Sequence, residues 1–354
     1  MIVFVHLLND RSGSPRMLKS VIGSISEPCM LFVGSDGNGL LDEVPCAIRT
    51  YWYRRSSSRW LTLVTFLASQ VALFAALVQA RLPKDALIYV NTLLPFGAAV
   101  YGRLTGRRVI YHVHEMSLSP RAFQHMLVAI ARWSSTRLLY VSNAHRHLLP
   151  IAPGKEDTVP NGIDRDLAHI AASQAYHHRH AGKFVVLMLA TPMPYKGIGE
   201  FMRLAESLAS REDIVFLFAP GRGGYSAAVP SNVTVLSPTN DPAAYYSAAS
   251  LVLNLTRPDL CVETFGLTLL EGMAFGTPVI APPAGGPAEL ITDGKEGYLI
   301  DSRDDAALAG AVVQLADDEA LCLRMSMAAR ARATEFAPEA FTRKISAVIE
   351  AARG

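Results

Sequence analysis

The chain has 354 residues, of which 50% are hydrophobic and 18% are charged. This length and composition exclude a disordered or collagen-like chain and predict two domains of roughly 150–200 residues each. The formal charge is +2, but residues 1–165 carry 18 Lys/Arg against 10 Asp/Glu. A basic first half predicts an anionic partner. Because no Lys/Arg run and no RNA-binding aromatic signature is present, a membrane surface is favoured and nucleic acid is not expected.

Short apolar runs alternate with helical periodicity along the whole chain. Strands are predicted at residues 2–8, 29–33, 86–90, 109–113 and 138–141, and then at 184–189, 214–218, 233–236, 251–255 and 279–280. Helices are predicted between them, among others at 15–25, 96–104, 196–209 and 265–275. This alternation predicts the α/β fold class with two doubly wound parallel sheets. Ligands are expected beyond the carboxyl ends of the strands, in a cleft between two such domains.

The polar stretch at residues 166–182 is predicted to link a first domain, residues 1–165, to a second, residues 183–335. Within it, the HHRH cluster at 177–180 fits an exposed linker better than a metal site. The four cysteines, at positions 29, 46, 261 and 322, lie far apart without a CxxC pair. This spacing predicts neither a disulfide framework nor a zinc site and fits a reducing compartment. The first residues read as a strand and not as a signal peptide, so we expect a cytoplasmic protein.

The segment from Trp60 to Ala80 is uncharged over 21 residues, which is long enough to span a bilayer. Thr and Ser side chains interrupt it at helical spacing, so three interpretations stay open: a membrane span, a buried crossover helix and a helix in the membrane interface. The preceding YWYRRSSSRW favours the interface, because basic and aromatic side chains suit the headgroup layer. The residues expected on the membrane or acceptor side are Arg54, Arg55, Arg59 and Trp60.

The densest polar pattern lies between residues 254 and 299. Glu263 and Glu271 are eight residues apart, and Phe265-Gly266 is expected to open the helix between them. Backbone N–H groups at a helix N-terminus bind phosphate, and two carboxylates can accept hydrogen bonds from the hydroxyls of a polyol. On spacing alone, two solvent-facing carboxylates beside an ordinary loop explain the pattern equally well.

This stretch closely resembles the retaining GT-B glycosyltransferases of glycosyltransferase family 4, which share the pattern E-x-F-G-x-x-x-x-E. The resemblance extends over nearly the whole chain and implies a GT-B fold, in which two Rossmann-like domains face a central cleft. It implies that Glu263 contacts hydroxyls of the donor sugar and that Glu271 holds the ribose. The backbone from Thr264 through Phe265, Gly266 and Leu267 would receive the diphosphate. Residues 159–164 resemble the interdomain PNGxD element, and residues 336–354 resemble a final helix that packs back on the first domain.

Tyr195-Lys196-Gly197 resembles the family's Lys-Gly at a helix start, which implies that Lys196 neutralises the leaving diphosphate. The family usually has an arginine five residues earlier, where this chain has Thr191. Either Arg257 or Arg222 could replace that missing cation, because each could reach the diphosphate from a neighbouring loop.

Two elements of the first half complete the resemblance. Gly13, in the NDRSGSP segment after the first strand, takes the place of a Gly-rich loop that faces the donor phosphates. His114 occupies the position of the active-site histidine near the anomeric region of the donor sugar. Strand alternation places His112 on the same face as His114, and no third metal ligand follows at a convincing spacing.

The resemblance implies that the chain transfers a hexose from a nucleotide-diphosphate sugar to a hydroxyl group, with retained configuration and without a metal or cofactor. A lipid-linked glycan in surface-polysaccharide or O-antigen (lipopolysaccharide) assembly is the expected acceptor, at the inner face of the cytoplasmic membrane. Two alternatives stay open. A sugar-nucleotide epimerase shares the architecture, but the Glu pair and PNGxD element argue against it. A non-catalytic sugar-nucleotide-binding subunit is motivated by Thr191 and the reduced Gly loop.

Overall fold

The structure is a computed structural model that describes residues 1–221, 224–239 and 241–354, apart from the side chain of Arg59. It divides the chain into two compact units. The first comprises Met1–Gly162 together with Glu339–Gly354, and the second comprises Ile163–Pro338.

The first unit is built on a seven-stranded parallel sheet with strand order β3-β2-β1-β4-β5-β6-β7. The strands are β1 (Ile2–His6), β2 (Cys29–Gly34), β3 (Ala47–Tyr51), β4 (Leu87–Asn91), β5 (Val109–Val113), β6 (Arg137–Tyr140) and β7 (Glu156–Thr158). The helices are α1 (Gly13–Gly23), α2 (Arg59–Gln79), α3 (Phe96–Leu104), α4 (Arg121–Ser134) and α5 (Asn143–Leu148).

The second unit contains, within its described residues, a six-stranded parallel sheet with strand order β10-β9-β8-β11-β12-β13. Its strands are β8 (Phe184–Ala190), β9 (Ile214–Pro220), β10 (Val233–Val235), β11 (Leu251–Leu253), β12 (Val279–Ala281) and β13 (Gly297–Leu299). Its helices are α6 (Arg165–Ser173), α7 (Ile198–Ser207), α8 (Ala243–Ser247), α9 (Leu267–Ala274), α10 (Pro287–Leu290), α11 (Asp305–Asp317) and α12 (Glu319–Thr334). The two doubly wound parallel sheets confirm the predicted α/β fold class.

The final helix, α13 (Pro338–Arg353), belongs almost entirely to the first unit. Strand alternation separates two apolar clusters on the faces of the first sheet. Val3 and Val5 lie in the cluster that α2, α3 and α4 cover. Ile2 and Phe4 lie in the opposite cluster, which α1 and α13 cover. Burial on both faces explains why the central strands are continuously apolar.

The segment predicted as a linker, residues 166–182, begins inside helix α6. The carboxylate of Asp164 accepts hydrogen bonds from the backbone N–H groups of Asp166 and Leu167, at 3.0 and 3.2 Å. This is an N-cap, which stabilises the first turn of a helix. The polar residues that suggested a linker therefore include those of a capped helix on the surface of the second unit.

Cys29 and Cys46 form a disulfide, which corrects the expectation from cysteine spacing. Strands β2 and β3 are parallel neighbours with Met30 beside Ala47, so the two preceding cysteines meet with their Cα atoms 5.3 Å apart. Strand pairing is a tertiary property, and a separation of 17 residues carries no sign of it. The argument from cysteine usage to a reducing compartment therefore loses its basis.

Helix α2 covers the uncharged segment found in the sequence. By length and composition, Trp60–Gln79 could cross a membrane, although a helix in the core of a soluble protein can pass the same test. Only 28% of its most apolar 18 residues are buried. Ser69 and Gln70 lie on the buried side, and Gln70 Oε1 accepts a hydrogen bond from Gly97 N at 3.0 Å. One face of α2 is therefore fastened to the start of α3.

Candidate functional site

In the second unit, two sequence-predicted side chains meet beyond the carboxyl ends of β8 and β11. Lys196 follows β8 in a short 3₁₀ turn, and Glu263 lies in the loop that leads from β11 to α9. Lys196 Nζ donates a hydrogen bond to Glu263 Oε2 at 2.5 Å, across 67 residues of sequence. Thr256 Oγ1 donates to the same oxygen at 3.3 Å. A lysine cation and a carboxylate that accepts hydrogen bonds thus lie together at the edge of the sheet where ligands bind in such folds.

The charge of Lys196 is secured by its partner. Burial would lower the pKa of Lys196, but the adjacent Glu263 carboxylate outweighs it and raises the pKa above its usual value. Lys196 is therefore cationic at neutral pH. Gly197 allows the tight turn behind it, because its φ is +73° and a Cβ there would overlap the carbonyl oxygen of Leu255.

The N-terminus of α9 lies directly after Glu263. Gly266 precedes the helix with φ +101°, and no described side chain caps it. Gly286 N donates to Glu263 O at 2.9 Å, and a Cβ on Gly286 would overlap the backbone of Thr264 and Phe265. The loop that contains Gly286 thus packs against the segment that leads into α9. At the start of this helix, backbone N–H groups and the helix dipole favour an anion.

Glu271 lies buried on α9, one helix turn beyond this start. Tyr246 OH donates a hydrogen bond to Glu271 Oε2 at 2.6 Å. Sequence reasoning missed Tyr246 and Thr256, because neither lies at a motif spacing from the glutamate that it contacts. Phe265, whose backbone is predicted to face the diphosphate, packs its ring 5.9 Å from that of Phe336.

Arg257 lies in this region, and its charge is paired with neighbouring carboxylates. Arg257 N donates to Tyr195 O at 2.8 Å, which places the residue beside Lys196. Its guanidinium donates to both carboxylate oxygens of Asp259, at 3.2 and 2.7 Å, and lies 3.6 Å from Glu200 Oε1. Thr191 is exposed just beyond the end of β8. The other expected substitute, Arg222, lies outside the described residues.

In the first unit, His114 and the Gly13 segment both contact Asn91, beyond the carboxyl ends of β1 and β5. The ring centroids of His112 and His114 are 4.2 Å apart, on the same face of β5. Asn91 Nδ2 donates to Ser14 O at 3.1 Å, and Asn91 Oδ1 lies 3.0 Å from His114 Nε2. Because the amide nitrogen faces a carbonyl group, the amide oxygen faces His114, which assigns the imidazole proton to Nε2. Asn91 carried no sequence signal.

These histidines are neutral at neutral pH. Burial lowers the pKa of His6 to about 4 and that of His112 to about 3, and it holds the pKa of His114 well below its usual value. Burial raises the pKa of Glu115, although backbone N–H groups of Leu93 and His114 donate to its carboxylate. Among the described residues, no group of three or more His, Cys, Asp or Glu side chains is arranged to hold a metal ion.

The predicted membrane-side residues lie between β3 and the first turn of α2. Arg54, Arg55 and Trp60 are exposed. Arg55 N donates to Asp36 Oδ2 at 2.7 Å, which anchors this segment. The side chain of Arg59 lies outside the described part of the chain.

Known proteins resemble this chain in sequence and in fold. Residues 172–332 match the family described as glycosyl transferases group 1. Phosphatidyl-myo-inositol mannosyltransferase of Mycobacterium leprae is 29% identical over 171 residues, which cover 46% of this chain and 45% of the relative. D-inositol 3-phosphate glycosyltransferase 1 of Catenulispora acidiphila is 29% identical over 230 residues, which cover 57% and 54%. The chain thus spans about half the length of these curated relatives.

The likeness in fold extends over the whole chain. The structure of Anabaena Alr3699/HepE in complex with UDP-glucose superposes with a TM-score of 0.80 at 20% identity, covering 99% of both chains. Sucrose-phosphate synthase of Thermosynechococcus elongatus gives a TM-score of 0.76 at 20% identity, again covering 99% of both. The fold is therefore GT-B. The segment 172–332 that matches the group 1 glycosyl transferase family contains Lys196, Glu263 and Glu271.

Proposed function

We propose that the chain is a retaining glycosyltransferase that transfers a hexose from a nucleotide-diphosphate sugar to a hydroxyl group of a lipid-linked glycan. The observation that carries this proposal is the contact between Lys196 and Glu263 beside the N-terminus of α9. It combines, at one sheet edge, a cation and backbone N–H groups for a diphosphate with a carboxylate for sugar hydroxyls.

In the proposed reaction, the bond between the anomeric carbon and the diphosphate oxygen breaks through an oxocarbenium-like state. The acceptor oxygen attacks from the same face, and its proton passes to the departing phosphate oxygen. Lys196 and the amides of Phe265, Gly266 and Leu267 stabilise the charge that develops on the leaving group. Glu271 holds the ribose, and no metal or cofactor is assigned a role.

The acceptor and the location are part of the same proposal. The mannosyltransferase relative bears the name of a lipid substrate, phosphatidyl-myo-inositol. The basic first half and the segment around Arg54 and Arg55 favour work at an anionic leaflet. We therefore propose surface-polysaccharide or O-antigen assembly at the inner face of the cytoplasmic membrane.

The first experiment is thermal denaturation of the wild type and of Glu271→Ala with UDP, GDP, dTDP and CMP in turn. UDP is the first choice because the Anabaena structures contain it. A nucleotide at 100 times its Kd stabilises the folded state by about 2.7 kcal/mol. We expect one diphosphate to raise the melting temperature of the wild type but not of the variant.

The matching nucleotide sugars are then incubated with lipid-linked acceptors, with and without EDTA, and the product's anomeric configuration is read by NMR. Transfer with retention and insensitivity to EDTA is expected. Epimerised donor in the absence of acceptor would instead identify an epimerase. Donor binding with neither transfer nor slow donor hydrolysis would identify a non-catalytic subunit.

A further inference from the structure

Helix α2 presents to solvent a face that is almost entirely apolar. Its exposed large side chains recur at helical spacing from one end to the other: Trp60, Leu61, Val64, Leu67, Val71 and Val78. We call this row the apolar face of α2. Trp60 is 80% exposed, Val64 61% and Val71 72%. A surface helix of a water-soluble domain turns such a row inward, so a continuous exposed row marks an interaction surface.

The side of α2 opposite the apolar face is also largely apolar, and the side chains on it that are buried in the core of the first unit include Phe66, Leu73 and Leu77. Ser69 and Gln70 are buried on this side as well, where Ser69 Oγ donates to Phe66 O at 2.6 Å and Gln70 Oε1 accepts from Gly97 N at 3.0 Å. A helix that crosses a bilayer would have to release Gln70 from the start of α3. Because α2 keeps that contact, only its outer face is available, and the helix can meet a membrane only by lying along it.

Basic side chains flank the apolar face at both ends. Arg54 and Arg55 precede α2, Arg81 and Lys84 follow it, and all four are exposed. From residue 44 to residue 84 the sequence contains no Asp or Glu. If a second copy of the chain packed on this face, basic residues would face basic residues in both the parallel and the antiparallel orientation, because both ends of the face are basic. Lipid phosphates, in contrast, complement both ends at once.

We propose that the apolar face of α2 docks the protein on an anionic lipid bilayer, with the helix parallel to the membrane plane and the flanking arginines at the level of the headgroups. Trp52, which is 49% exposed, and Trp60 add aromatic side chains suited to that level. The surface is independent of the reaction. Only its purpose, delivery of a lipid-linked acceptor, rests on the proposed function.

The test is flotation of the full chain with vesicles of phosphatidylcholine alone and with vesicles that also contain phosphatidylglycerol. We expect the wild type to float only with the anionic vesicles. Leu67→Asp/Val71→Asp should abolish flotation, because it places two charges where apolar side chains enter the interface. The matched control is Leu323→Asp/Met327→Asp on α12, a second exposed apolar pair four residues apart, which should float as the wild type does.

A second pair of variants tests the charges. Arg54→Gln/Arg55→Gln should weaken binding by about fivefold for each arginine removed. Arg343→Gln/Lys344→Gln removes an exposed adjacent pair on α13, on the opposite side of the first sheet, and should have no effect.

Three outcomes would overturn the proposal: failure of the wild type to float, normal flotation of the Leu67/Val71 variant, or a dimer without vesicles that this variant abolishes. The last would assign the face to a second copy. Circular dichroism verifies that each variant is folded. Because no sugar nucleotide is present, failure here would remove the support for a membrane location but leave the proposed sugar transfer untouched, and failure of the transferase assay leaves the docking proposal untouched.

Discussion

Lys196 and Glu263 form an ion pair in which Nζ lies 2.5 Å from Oε2, with both side chains about a quarter exposed or less. In the proposed reaction these groups have different partners, since the lysine meets the diphosphate and the glutamate meets sugar hydroxyls. The phosphate of a bound donor must therefore compete with Glu263 for Lys196.

Glu263→Gln removes this competition. We expect nucleoside diphosphate to bind about fivefold more tightly, because a partly exposed ion pair is worth at most about 1 kcal/mol. Sugar transfer should nevertheless fall by about 10²-fold, because a hydrogen-bond acceptor for the donor sugar is lost. Calorimetry and steady-state kinetics measure the two effects. Glu335→Gln, which opens an exposed ion pair with Arg332, is the control and should change neither.

Tyr246→Phe tests the hydrogen bond to Glu271. Both side chains are buried, so losing the hydroxyl removes a hydrogen bond to a buried carboxylate and should cost about 1–3 kcal/mol of stability. The stabilisation by nucleotide should shrink as well, because Glu271 is no longer held. Urea denaturation with and without nucleotide measures both. Tyr245→Phe on the same helix, where the hydroxyl donates to Ser237 O, is the comparison; equal nucleotide responses from the two variants would contradict the role of Tyr246.

The buried histidines should make the fold sensitive to acid. Burial lowers the pKa of His112 to about 3. Below pH 6.5 this histidine therefore binds a proton in the unfolded chain but stays neutral in the folded chain. Stability is complete above pH 6.5 and falls as the pH drops toward 3, by roughly 1.4 kcal/mol per pH unit for each such histidine. His112→Asn should reduce that slope in urea denaturation series. An unchanged slope would contradict the assignment, and exposed His125→Asn serves as the control.

The Cys29–Cys46 disulfide should contribute to stability through the unfolded state. Closing a loop across 17 residues removes chain entropy worth about 3 kcal/mol. A reductant should therefore lower the melting temperature of the wild type. It should not affect Cys46→Ser, which starts at the lower value. Equal melting temperatures with and without reductant would show that the bridge contributes nothing.

The alternation of apolar runs with helical segments was sufficient to predict most of the fold. Strand β5 and helix α3 match the predicted bounds, because a strand or helix buried on the core side carries its period in its own residues. Strands β3, β7 and β13 were missed. Their residues are mostly exposed or half-buried at or near the sheet edge, so apolar patterning does not mark them.

The sequence by itself determined the fold class and the residues around Glu263 and Glu271, since both depend on local order along the chain. Only the tertiary structure decided which distant residues meet. Lys196 reaches Glu263 across 67 residues, Tyr246 reaches Glu271, Asn91 orients His114, and Cys29 bonds Cys46. It also decided which side of α2 stays exposed. Strand order and helix packing set these contacts, and neither is encoded in the spacing of the residues themselves.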